Sequence, residues 1–124
     1  MKLIFVSAPL WAKYPAQIEA NIARTTAIGA MINQAGKGEV MAVVPHLLGP
    51  ALNASHPMPE DFWRAGMIAL MQRCNGVVFT PDWDTSAGCR GEWEAAVGML
   101  STTMGWTNQT AEIEAFVNRI IKQQ

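Results

Sequence analysis

Apolar residues along this chain fall into short unbroken runs separated by longer stretches in which they return every three or four positions. The runs are Leu3 to Val6, Val40-Met-Ala-Val-Val44 and Gly76-Val-Val-Phe-Thr80. Each is too short for a helix and apolar at successive positions, as expected of strands covered on both sides. Between the first two, Pro15 suits a first helical turn and opens a stretch with Ile18, Ile22, Thr25, Gly29 and Ile32 on one face, ended by Gly36 and Gly38. Pro45 stops the second run, and His46 to Met58 reads as a long loop. Pro59-Glu-Asp61 then starts a helix, its acids near the positive end of the dipole, and Trp63, Met67, Leu70, Met71 and Cys74 recur at helical spacing. After the third run a loop leads into helix-like Glu92 to Leu100. Thr103-Met-Gly-Trp106 fits a short fourth strand, and Ala111 to Lys122 a helix with Ile113, Phe116, Val117, Ile120 and Ile121 inward.

Strands that alternate with helices predict an α/β, three-layer sandwich around a doubly wound, mainly parallel sheet of the flavodoxin-like kind. With 124 residues, 50% of them apolar, the chain makes a single domain spanning 1–124 and has no repeat or linker.

Charge narrows the partner. A formal net charge of -1 with scattered Lys and Arg does not make a surface for a nucleic-acid polymer. Met1-Lys-Leu-Ile-Phe-Val-Ser7 is apolar for too few residues to be a signal peptide, and no stretch approaches a membrane span, so a cytoplasmic protein without a membrane partner is expected. Cys74 and Cys89 fit a reducing compartment, and neither they nor His46 and His56 have metal-ligand spacing. Neither metal nor cofactor is expected. Asn53-Ala-Ser55 and Asn108-Gln-Thr110 match glycosylation sequons by coincidence of composition. Gly36-Lys-Gly38 lacks the rest of any dinucleotide or P-loop motif.

The informative segment is Thr80-Pro-Asp-Trp-Asp-Thr-Ser-Ala-Gly-Cys-Arg-Gly-Glu92. It lies at the C-terminal end of the third strand, the edge where loops and helix N-termini of an open α/β sheet gather around ligands. Ser86 and Gly88 offer a hydroxyl, a closely approachable backbone and free amides, which suit an anion and equally suit a plain helix cap. Glu92 brings a carboxylate to the same mouth, as a nucleophile or as a first-turn acid complementing the dipole. Asp82 and Asp84 are candidates for protonating a leaving group, with turn formation as their ordinary role. Trp11 and Trp83 are expected in loops at this edge, where an indole can stack on a base. Trp63, Trp93 and Trp106 are expected in the core or a subunit interface. His46, after a strand end, is placed against the ligand, and Cys89 is read as a buried inert thiol.

These residues resemble the nucleoside 2-deoxyribosyltransferase-like family, in particular its 2'-deoxynucleoside 5'-phosphate N-hydrolases and phage-borne relatives. The resemblance covers roughly residues 2 to 100 and rests on Ser7-Ala-Pro9, Asn21, Pro45, and Asp82-Trp83 before Ser86-x-Gly88-x-x-x-Glu92. It implies that Ser86 contacts a 5'-phosphate and that Glu92 attacks the anomeric carbon, with Ser7, Pro9 and Asn21 at the same site. The implied partner is a small nucleotide or nucleoside. It also implies a homo-oligomer, dimer or larger, in which a neighbour completes the pocket. Two positions depart from the family pattern: Ala65-Gly-Met67 stands where relatives carry an acid near the base, and Asn75 where an Asp is common. The leading expectation is an enzyme of the N-glycosidic bond, hydrolase or transferase. The alternative is a non-catalytic nucleotide-binding or interaction module. A phosphoacceptor or flavin carrier fits poorly, because Ser7-Ala-Pro9 has neither an acidic pair nor a hydroxyl-rich cradle.

Overall fold

A computed structural model describes residues 1–99 and 102–123. Its strands, β1 (Lys2–Ser7), β2 (Val40–Val43), β3 (Gly76–Phe79) and β4 (Thr103–Trp106), form one parallel sheet in the order β2-β1-β3-β4. The helices among the described residues are α1 (Pro15–Gly36), α2 (Gly49–Ser55), α3 (Glu60–Met71), α4 (Ala87–Val97) and α5 (Thr110–Lys122). This is the predicted three-layer α/β sandwich of flavodoxin-like type, and the short fourth strand is present.

β1 and β3 are continuous apolar runs because each feeds two cores, whereas the edge strand β4 is only partly covered. Ile4, Val6 and Val78 point to one side and pack with Ile28 and Ile32 of α1 and with Ile113, Phe116, Val117 and Ile120 of α5. Phe5, Val77 and Phe79 point to the other and meet Met71 and Cys74, at and just past the end of α3, and Ala96 of α4. The α1 layer sits close to the sheet. A Cβ on Gly29 would lie 2.6 Å from the Val44 side chain, and one on Gly105 2.7 Å from Phe116. Lys37 turns left-handed at φ 47° and Gly38 follows at φ 88°, which ends α1 where the glycines predict.

Three expectations change. The buried stripe of α1 is Asn21, Thr25, Ile28, Gly29 and Ile32, with Ile18 and Ile22 only partly covered, because the helix rolls its polar Asn21 inward to meet a loop. The segment after β2 is not a bare loop: a 3-10 turn (Pro45–Leu47) runs into α2, which Gly49 and Pro50 start. α4 opens at Ser86-x-Gly88, as those residues predict, but its span is Ala87–Val97, so Glu92 lies past its first turn; Leu100 lies outside the described residues.

The chain winds from β1 outward to β2, then returns past β1 to β3. Consequently the segments leaving the C-terminal ends of β1 and β3 diverge to opposite faces and leave a crevice between them. Ser7 ends β1 opposite Phe79 of β3, at the floor of that crevice. No helix among the described residues is long and apolar enough to cross a membrane.

Candidate functional site

The crevice opens into a cleft of about 430 Å³. Its walls come from the β1 to α1 loop (Pro9, Leu10, Trp11), the turn and helix after β2 (His46, Gly49, Asn53), the first turns of α3 (Glu60, Trp63, Arg64, Met67) and the start of α4 (Ser86, Ala87, Gly88, Glu92). The volume suits a mononucleotide-sized ligand, and the walls combine apolar and aromatic surface with a few polar groups.

At the floor, Ser7 Oγ donates to Glu92 Oε1 at 2.7 Å. Ser7 is almost wholly buried, so its rotamer is fixed and it holds the carboxyl in one orientation. Oε2 has no partner among the described residues. Burial pushes the Glu92 carboxyl up to about 7, although the Ser7 hydrogen bond works the other way by stabilising the charged form. Near neutrality the group is therefore divided between an ionised nucleophile or base and a protonated acid, the range in which a carboxyl can do either kind of work.

Ser86 is the N-cap of α4, with its Oγ accepting from the Cys89 N–H at 3.3 Å. The hydroxyl proton remains for another acceptor. Beside it, Ala87 and Gly88 begin the helix and present first-turn amides that have no intrahelical acceptor. The cleft thus has an anion-binding rim about one turn from its carboxyl. Cys89 is buried in the same turn. Burial raises its thiol pKa and the Glu92 and Asp82 charges add to that, outweighing hydrogen bonds with Ser7 and Ser86. Arg90 gives it no help, because its guanidinium bonds the Asp84 carbonyl at 2.8 Å.

Pro9, Trp11, His46, Ser86, Gly88 and Glu92 line the cleft and Ser7 lies beneath it, so seven of the sequence-predicted positions meet there. The remaining four do not line it. Asn21 is buried on α1, where Nδ2 donates to the Leu10 carbonyl at 3.0 Å and Oδ1 accepts from Gln17 at 3.1 Å. It anchors the loop that forms one wall. Asp82 pairs with Arg24 at 3.1 Å and accepts from Thr80 Oγ1 at 2.8 Å. Burial opposes its ionisation, but the hydrogen bonds from Thr80 and Arg24, with the Arg24 charge, hold its carboxyl below the ordinary value. An acid so held is a poor proton donor. Asp84 is exposed in the 3-10 turn Trp83–Thr85, away from the lining. Trp83 packs with ring centroids 5.6 Å from Phe79 and 5.5 Å from Trp93, sealing the second core.

His46 is the second anchor of the wall loop, its Nε2 donating to the Pro9 carbonyl at 3.1 Å. Burial, helped by the Arg24 charge and opposed by the bond to Pro9, lowers its pKa and keeps the ring neutral. Met67, where an acid was missing, contributes apolar lining. Asn75 serves the sheet instead, its Oδ1 accepting from the Leu3 N–H at 2.8 Å.

Periodicity did not place Asn53, Glu60, Trp63 and Arg64 at the site. Trp63 belongs to the cleft wall, not the core, and Trp106 is 45% exposed on β4, stacked on Phe79 at 5.8 Å. The topology contains the missing signal. A helix that precedes a parallel strand starts at the strands' C-terminal edge, so the first turns of α3 must border the crevice. Glu60 and Arg64 pair with each other at 2.8 Å on an exposed face. Among the described residues no group of three or more His, Cys, Asp or Glu could hold a metal ion. A scan of known protein families gives no match to the chain, and neither does a search of curated proteins.

Proposed function

We propose that this chain cleaves or exchanges the N-glycosidic bond of a nucleoside 5'-monophosphate or related nucleotide, as a member of the nucleoside 2-deoxyribosyltransferase-like group, with Glu92 as nucleophile. The observation that carries the reading is the Ser7 to Glu92 hydrogen bond, which leaves one carboxylate oxygen without a partner beside the helix start at Ser86 and Gly88. With phosphate oxygens on the Ser86 hydroxyl and the α4 amides, the sugar lies toward Glu92 and the base toward the Trp63 and Met67 wall. Oε2 bonds to C1' as the C1'–N bond breaks through an oxocarbenium-like state, and the electron pair leaves with the base, which takes a proton from solvent. Water, or a second base, then adds to C1', releases the carboxylate and completes a reaction that retains configuration.

One observation favours a non-catalytic nucleotide-binding module: Asp82 is tied to Arg24 and Glu60 to Arg64, so among the described residues no second carboxyl of the cleft stands ready to protonate the base. Incubation with a panel of ribo- and deoxyribonucleoside 5'-monophosphates, read for released base, separates the two. Release that is lost in Glu92→Gln supports the enzyme. Binding without release supports the module. No binding of any nucleotide overturns both. The implied cytoplasmic location and homo-oligomer belong to the same reading, and sedimentation of the pure protein tests the latter.

A further inference from the structure

The wall of the cleft formed by α2 and the start of α3 is organised around one amide. Asn53, in the last turn of α2, accepts at Oδ1 from the Met58 backbone N–H at 2.9 Å and from the Trp63 indole Nε1–H at 2.8 Å. Both partners are donors that cannot accept. The orientation of the amide is therefore fixed by chemistry: the carbonyl must face those two groups, and the NH2 must face elsewhere. Asn53 and Trp63 both line the cleft, and Asn53 Nδ2 has no partner among the described residues. The same bond uses the only donor on the Trp63 indole, which leaves that ring a flat apolar surface and Asn53 the donor beside it. Glu60 and Arg64, the charged groups of this wall, neutralise each other.

We infer that Asn53 is a specificity-determining residue, whose locked NH2 reads a carbonyl acceptor on the base of the bound nucleotide. The inference rests on the nucleotide reading above and adds to it the class of base: keto bases (hypoxanthine, uracil) over amino bases (adenine, cytosine), which would bring an NH2 against an NH2. A base stacked on Trp63 brings its edge to the amide next to it. A site built to donate discriminates through the unpaired donor it leaves when the wrong base binds, and one such hydrogen bond supports a preference of roughly tenfold.

The test measures dissociation constants for two pairs that share sugar and phosphate, 2'-deoxyinosine against 2'-deoxyadenosine 5'-monophosphate and 2'-deoxyuridine against 2'-deoxycytidine 5'-monophosphate. Wild type is expected to favour the keto member of each pair roughly tenfold. Asn53→Asp keeps the Oδ1 acceptor for Met58 and Trp63 but replaces NH2 by an oxygen, so the ratio should invert, and any general repulsion of phosphate cancels within each pair. Asn53→Ala should bring the ratio to about one. If wild type binds nucleotides with no keto preference, or if the preference survives unchanged in Asn53→Ala, the inference is overturned while the nucleotide reading stands. If wild type binds none of the four or any other nucleotide, both fall together.

Discussion

On the α1 and α5 side of the sheet the buried surface is mostly aliphatic and closed, with Ile4, Val6, Ile32, Val78, Ile113, Val117 and Ile120 at 0% exposure. On the α3 and α4 side the central residues Phe5, Val77, Phe79 and Met71 are as deeply buried, but a belt of partly covered Trp83, Trp93, Met67 and Leu70 surrounds them. That belt opens at the strands' C-terminal edge into the cleft. The difference follows from length and position. α1 covers the sheet with 22 residues, and α5 adds the buried apolar stripe Ile113, Phe116, Val117 and Ile120. α3 and α4 meet beside the switch point, where their N-terminal turns extend past the strand ends. One layer supplies stability, and the other holds a half-buried carboxyl, which costs stability and is a group with no structural need to be there.

The comparison breaks first at Glu92. If the open layer is chemical, Glu92→Gln should lower base release by roughly a thousandfold or more, because the amide keeps the shape but is a poor nucleophile. Nucleotide affinity should stay within about a factor of ten, since no binding contact to phosphate is removed. Retained turnover in a correctly folded Glu92→Gln protein would assign the nucleophile elsewhere.

Stability should divide the other way. Ile120→Ala removes a fully buried side chain from the closed layer and should cost about 2 to 5 kcal/mol in denaturant unfolding. Met67→Ala, on the half-buried cleft wall, should cost only about 1 kcal/mol, because solvent already reaches it. Equal losses would show that the two layers are packed alike and that the cleft is a core defect, not a site.

Ser86→Ala sharpens the picture of the anion rim. The loss of one charge-assisted hydrogen bond, about 1.5 to 3 kcal/mol, should weaken phosphorylated ligands roughly ten- to a hundredfold and unphosphorylated nucleosides much less. Because Ser86 also caps α4, unfolding should register a separate loss of about 1 kcal/mol. Equal weakening of both ligand classes would reduce Ser86 to that cap.

The strands and the long amphipathic helices were legible because burial on a regular element leaves a period. Leu3 to Val6 and Gly76 to Phe79 are apolar at successive positions because both faces are covered, whereas the edge strand Val40 to Val43 keeps the same apolar run with Met41 47% exposed. Ile113, Phe116, Val117 and Ile120 repeat at helical spacing because one face is. α2 was not legible, since Leu47, Leu48 and Leu52 around it stay 57%, 46% and 54% exposed and mark no buried stripe. Its signals are local instead: Gly49-Pro50 at the start, and Asn53 bound to residues ahead of it. Glu92 and Ser86 could be found from the strand-loop-helix order alone, whereas the fate of Asp82 depended on Arg24, 58 residues away. Trp83 was misplaced for a related reason. An aromatic in a loop has no period, and only the positions of Phe79 and Trp93 decide whether it faces ligand or core.

The smallest effect, and the one that ties the two layers together, is the pH dependence of stability at Glu92. In the folded chain its carboxyl titrates at about 7, against an ordinary value of 4.5. Between those values the folded state holds a proton that the unfolded state has released, so stability falls as pH rises through that window, and above about 7 the full cost of the buried charge is present. Glu92→Gln removes the charge and keeps the shape. The variant should match wild type near pH 4.5 and exceed it by on the order of 1 to 2 kcal/mol at pH 8, with the gain developing between the two. His46 and Asp82 also titrate away from their ordinary values, but they are present in both proteins and cancel from the difference; Cys89, whose thiol is raised partly by the Glu92 charge, stays protonated in both throughout this pH range. Denaturant unfolding of the pair at several pH values reads it directly. A gain that is the same at every pH would mean that Glu92 is destabilising through packing, not through a desolvated charge, and would remove the electrostatic distinction between the closed layer and the open one.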